Sequence, residues 1–266
     1  MAPKNQPVGG QAPVVQRIRL RYAKRGPLRF TSHRDFARAF ERAVRRAGVP
    51  IAYSQGFTPH PKISYASAAP TGVASEAEYL EIGLQRPVDP EELLRALDAA
   101  LSPGLDVLAA VPAPGKPALA ELIEASRWRI ELPGVEVSDL ERAVSAFAGA
   151  EEVLVERLTK QGMRTFDARG AVVVMEAAPD GGGRTCADGT VACAILDLVV
   201  RQVTPSVRPD DVLAGLRVVA DLTPPAPPRA TRLAQGVLKT EGEIVDPLSV
   251  DRDGGVGGEP STDGSE

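Results

Sequence analysis

The sequence predicts an α+β protein made of two successive units, each a mainly antiparallel sheet with its helices on one face. Three observations carry that expectation. Apolar residues recur first at every second position and then every 3.6, and this change of period runs twice along the chain. A proline-rich stretch, VPAPGKPA, separates the two runs. The 266 residues, 43% of them apolar, suffice for two cores of roughly 100 residues each.

In the first half, RIRLRYAK sets Ile18, Leu20 and Tyr22 against Arg17, Arg19 and Arg21, the alternation of a half-buried strand. Ser32 then caps a helix with Asp35 as its capping-box partner. Phe36, Ala37, Phe40, Ala43, Val44 and Ala47 supply the apolar stripe, and Gly48 ends it. Strands follow over Lys62 to Ala68 and over Glu78 to Leu84. A helix opens at Asp89 or Pro90, and a strand over Leu105 to Val111 closes the set. That order, βαββαβ, is the ferredoxin-like arrangement.

The order recurs after the linker. Strands are expected over Arg127 to Leu132, Val153 to Leu158, Ala171 to Glu176, Val191 to Val199 and Val218 to Leu222, with helices over Ser138 to Phe147 and Asp210 to Leu216. The loop PDGGGRTCADG interrupts the later strands. The fold expected is thus a tandem of ferredoxin-like units, 14–112 and 126–236, joined by 113–125. Residues 1–13 and the acidic stretch 237–266 are expected to be disordered, because segments so polar bury too little apolar surface to offset their ordering entropy.

A net charge of −4 hides an asymmetry. From Arg17 to Arg46 eleven basic residues face only Asp35 and Glu41, a net of +9, whereas Lys239 to Glu266 carries eight acids and two bases. Eight of the eleven aromatic residues also lie between Tyr22 and Tyr79. Helices cover one face of such a sheet and leave the other open. Arg17, Arg19, Arg21 and Tyr79 are expected on that open face, where stacking and phosphate contacts hold single-stranded RNA in related folds. Lys24, Arg25, Arg29, Arg34, Arg38 and Lys62 extend the candidate RNA-binding set. Arg34, Arg38, Arg42 and Arg45 form a stripe on the helix that is either a solvated face or a phosphate track.

The two histidines, His33 and His60, are the only side chains that ordinarily titrate near neutral pH. His33 is expected as the first residue of its helix, where the positive end of the dipole disfavours imidazolium. His60 sits between Pro59 and Pro61, with Lys62 beside it. A rigid loop of this kind suits a functional residue or a histidine bridging backbone groups equally.

These residues carry a resemblance. Lys24-Arg25-Gly26, Leu28-Arg29-Phe30, Ser32-His33 and Asp35, then Tyr53-Ser54-Gln55-Gly56-Phe57-Thr58-Pro59-His60-Pro61-Lys62, then Pro70, Gly72, Ser75, Glu76 and Glu78-Tyr79 resemble a bacterial radical-SAM-linked family of unknown function. Members are encoded beside, or fused to, B12-binding-type radical-SAM proteins, which implies a radical-SAM partner. The match covers about residues 17 to 82. This chain has Arg34 where members often have leucine.

Several chemistries are not expected. CxxxCxxC, GxxxxGK[ST] and a GxGxxG after a strand are all missing, so no cofactor is indicated. His33, His60, Asp35, Glu76 and Glu78 lack metal-ligand spacing, and Cys186 and Cys193 are expected as free thiols. No apolar run reaches the roughly 18 residues of a membrane span and no secretory signal opens the chain, so a cytoplasmic location is expected. The function expected is a non-enzymatic RNA-binding or substrate-presenting partner of a radical-SAM enzyme acting on ribosomal or transfer RNA. One alternative is a metal-independent endoribonuclease, since tandem ferredoxin-like domains resemble the CRISPR repeat-processing endonucleases. In it His33 or His60 with Lys62 would deprotonate a 2′-hydroxyl and protonate the leaving 5′-oxygen. The other is a protein–protein adaptor.

Overall fold

The computed structural model describes residues 13–249 except 56, 114, 161 and 178–192. Within these the chain is a mixed α/β structure with mainly antiparallel sheet, and it forms two compact units. One holds 13–68, 78–121 and 247–249, and the other 69–77 and 122–246.

In the first unit β1 (Gln16–Lys24) leads through α1 (His33–Arg46) to β2 (Ile63–Ala66) and β3 (Ala74–Leu84), of which residues 78–84 belong here. Then come α2 (Pro90–Ala100) and β4 (Val107–Pro112), and the strands lie in the order β4-β1-β3-β2. β1 runs antiparallel to β4, and β2 antiparallel to β3 with Ser64 opposite Glu81. The alternation of β1 puts Ile18, Leu20 and Tyr22 into one core with Phe36, Phe40, Val44, Leu80, Ile82, Leu93 and Leu97. Burying Phe36 and Phe40 contributes about 1.5–3 kcal/mol each. Asp89 accepts from the N–H groups of Glu91 and Glu92 to cap α2, with Pro90 at its first position. α1 stops where Gly48 takes φ +64°, a left-handed conformation that glycine enters at little cost.

The second unit holds β5 (Ala125–Pro133), α3 (Val137–Gly149), a hairpin of β6 (Leu154–Thr159) and β7 (Gly162–Asp167), β8 (Val172–Ala177), β9 (Cys193–Arg201), α4 (Pro209–Ala220) and β10 (Arg229–Leu238). Its strands lie in the order β10-β5-β9-β8, and β10 pairs in parallel with the start of β3, Thr231 opposite Ala74. Its core gathers Trp128, Ile130, Leu132, Leu140, Phe147, Leu196, Leu198, Val212 and Leu216.

Four expectations need correction. The closing strand is Arg229–Leu238, not Val218 to Leu222, because the Leu216 and Val219 side of that run packs on the core as helix before Asp221 turns at φ +51°. Strand β7 was not anticipated; its residues 162–165 are exposed and lack apolar alternation. Residues 237–249, expected in the disordered stretch, hold the end of β10, the 3-10 turn Thr240–Gly242 and β11 (Ile244–Val245), which pairs with β10. Cys193 is disulfide-bonded rather than a free thiol, and Cys186 lies outside the described residues. So do the whole loop PDGGGRTCADG, residues 1–12 and the acidic segment from 250.

Candidate nucleic-acid interface

Ser32 ends an extended approach and caps α1: its Oγ accepts from the Asp35 N–H at 3.2 Å and donates to Asp35 Oδ2 at 2.6 Å. His33 is therefore the first helical residue. Its ring meets Tyr65 edge-on at 4.9 Å, Tyr65 meets Phe36 at 6.0 Å, and Phe36 stacks on Tyr22 at 4.3 Å. An aromatic row thus runs from the exposed His33 into the core. The Tyr65 hydroxyl is buried without a hydrogen-bond partner, and burial together with the charge of Glu41 pushes its pKa above the ordinary tyrosine range.

Beyond His33, α1 presents Arg34, Arg38, Arg42 and Arg45, all exposed, about one per turn at roughly 4.5–6 Å intervals along the axis. Arg45 has Glu41 at 3.8 Å. Among the described residues Arg34, Arg38 and Arg42 have no carboxylate within ion-pair distance. Just before the helix, Arg29 lies over the ring of the exposed Phe30, 4.8 Å from its centre.

The sheet face expected to be open is largely closed. Arg17 Nη1 and Arg19 Nε donate to Glu81 at 2.9 and 3.0 Å, and Arg19 also donates to the Pro117 carbonyl. Arg19, Lys24 and Tyr79 are buried, Arg21 is half-buried, and Arg25 is tied to Asp106 at 2.7 Å. The segment 115–120, within the expected linker, lies over this face. Between it and Arg17, Ser64, Ala66 and Glu81 a cavity of about 300 Å³ remains. Nothing in the local sequence signals that cover, since it arises from residues about 100 positions from Arg17 in the chain.

The motif around His60 forms a pinned arm. The Ser54 N–H donates to the His60 carbonyl at 2.8 Å, the His60 N–H to Ser54 Oγ at 3.0 Å, and the Lys62 N–H to the Ala52 carbonyl at 2.7 Å. Its tip residues Gln55, Phe57, Thr58 and Pro59 are exposed, as are His60 and Lys62; Gly56 lies outside the described residues. Phe57 is wholly exposed.

These residues do not gather into one catalytic cleft. A Cβ placed on Gly83 would lie 3.4 Å from Lys62 Cβ, so Lys62 leaves the sheet on the Glu81 side. His33 lies against Tyr65, which packs on the opposite, helix-covered side with Phe36 and Ile82. Ser75 is buried in the second unit, where its Oγ accepts from the Ala77 N–H and from Arg232 Nε. Glu76 is half-buried and Glu78 is buried. Among the described residues no three of His, Cys, Asp and Glu form a metal-binding group.

No curated protein matches the chain. A family model described as an uncharacterised protein conserved in bacteria (DUF2344) matches residues 17–209, spanning all three motif segments and most of both units. The chain belongs to this family of uncharacterised bacterial proteins.

Proposed function

We propose that the chain is a non-enzymatic RNA-binding protein that presents ribosomal or transfer RNA to a radical-SAM enzyme in the cytoplasm. The observation that carries this is the row Arg34, Arg38 and Arg42, exposed along one helix face with no carboxylate in ion-pair distance among the described residues. Guanidinium groups repeated at this interval suit successive phosphates of one strand, and Arg29 over Phe30 adds a cation beside an exposed ring. In each unit we read the strand order, with its two helices, as ferredoxin-like. RNA is held on the helix side in this proposal, since Arg19 and Tyr79 are buried. The radical-SAM partner rests on the family resemblance of the three motif segments. No helix among the described residues is long and apolar enough to cross a membrane.

Filter binding to transfer and ribosomal RNA fragments at several salt concentrations tests the proposal. Three or four phosphate contacts give a log–log salt slope of about −2 to −3. Arg38→Gln is expected to weaken every RNA alike and to make that slope shallower by nearly one. Absence of RNA affinity, or affinity indifferent to salt, overturns it.

A further inference from the structure

Phe57 is the described aromatic residue that the fold leaves without any burial. Large apolar side chains usually cover part of their surface even at loop tips, and Phe57 covers none. Its loop is nevertheless held: Ser54 and His60 exchange two hydrogen bonds, Lys62 is fixed to Ala52, and Tyr53 bridges to Pro61. Pro59 and Pro61 restrict the returning strand further. The ring is thus carried on a loop whose two legs are tied to each other rather than on a free chain end.

The electrostatics of the arm select the partner. From Arg42 to Ser75 the sequence has no acidic residue. The arm exposes His60 and the polar residues Gln55 and Thr58 near Phe57, and Lys62 is exposed at its base. An aromatic ring flanked by cationic or neutral groups, with no carboxylate to repel a phosphate, matches the stacking platforms that hold unpaired bases.

We propose that Phe57 stacks on an unpaired base of single-stranded RNA. This deepens the RNA-binding reading above and rests on it. The arm then selects strand state rather than sequence, because every base has a π-face but only an unpaired one can reach the ring.

The test uses the full chain with oligouridylate, a duplex RNA and a single-stranded RNA carrying one fluorescent base analogue. Phe57→Ala is expected to weaken single-strand affinity roughly ten-fold or more while leaving duplex affinity unchanged. Phe57→Trp should keep the affinity, and its emission should be quenched on RNA addition; the one native tryptophan, Trp128, is buried and supplies a steady background. If Phe57→Ala leaves single-strand affinity intact while Arg38→Gln lowers it, the stacking proposal fails and the RNA reading stands. If Phe57→Ala retains RNA affinity but releases a bound protein partner, the tip is a protein contact and the proposal is overturned. If the unaltered chain binds none of the three probes, both readings fail together.

Discussion

Replacing Glu81 with glutamine separates a structural use of the β1 arginines from a binding use. Glu81 accepts from Arg17 Nη1 at 2.9 Å and from Arg19 Nε at 3.0 Å, and the Arg19 side chain has 0% exposure. Losing a charge-assisted hydrogen bond costs about 1.5–3 kcal/mol. Breaking a buried pair by removing one partner reaches about 3–5 kcal/mol. Arg19 keeps its bond to the Pro117 carbonyl, and the new amide oxygen can still accept one hydrogen bond. The expected cost of Glu81→Gln is therefore about 2–3 kcal/mol, a large share of the roughly 5–15 kcal/mol that holds a domain folded. Arg17, with 46% of its side chain exposed, forms the weaker half of the arrangement. Arg17→Ala is expected to cost under about 1 kcal/mol. Urea and thermal unfolding followed by circular dichroism measure both. A drop in melting midpoint on the order of 10 °C is expected for Glu81→Gln and a few degrees at most for Arg17→Ala. Equal effects of the two substitutions would refute the reasoning, because burial of Arg19 is what distinguishes them.

Asp167 and Tyr65 give tests of opposite sign. Burial opposes ionisation of Asp167, but the N–H groups of Val153, Gly170 and Arg169, with the Arg169 charge, outweigh it and hold the carboxyl below its ordinary value. A folded-state pKa lowered in this way stabilises above the unfolded value of about 3.9 and is lost as pH falls through the folded one. The stability gap between the native chain and Asp167→Asn should be about 1 kcal/mol at pH 7 and shrink below pH 4; a gap independent of pH would contradict the assignment. Tyr65→Phe removes a buried hydroxyl that has no partner, so it should raise stability by about 1 kcal/mol and leave RNA affinity unchanged. A loss of stability in urea titrations would count against that geometry.

Helix ends were legible in the sequence because their determinants are local. Ser32 with Asp35, Asp89 before Pro90, and Gly48 after an apolar stripe each act within four residues of the end they define. β10 was not legible because Arg232 and Gln235 are buried within it and break the apolar alternation. Their burial is offset by distant groups: Arg232 lies 5.3 Å from the centre of the Trp128 ring and donates to Ser75, and Gln235 Nε2 donates to the Ala77 carbonyl. The candidate site divides in the same way. Alternation showed that Arg17, Arg19 and Arg21 share a face. It did not show that 115–120 lies over it.

The arginine row of α1 has a cost that distinguishes function from folding. Arg34 and Arg38 stand four residues apart, as do Arg38 and Arg42, and Arg42 and Arg46, and each like-charged pair at that spacing opposes the helix by about 0.2–0.5 kcal/mol. Arg34 also lies in the first turn, where the dipole disfavours a cation by about 0.3–1 kcal/mol. Glu41 comes within ion-pair distance of Arg45, and Asp35, which like Glu41 stands three residues from Arg38, is engaged by the Ser32 hydroxyl. A solvated face under no demand but stability would alternate its charges. Arg42→Gln removes the like-charged contacts with Arg38 and Arg46, and no acidic residue stands three or four positions from Arg42, so at little change in helix propensity it should raise stability by about 0.4–1 kcal/mol. The same substitution removes a phosphate contact in the proposed complex and should lower RNA affinity. Opposite signs in one variant, read by urea unfolding and by filter binding, are the signature of a surface kept for an external anion; a loss of both would place Arg42 among the residues that hold the fold.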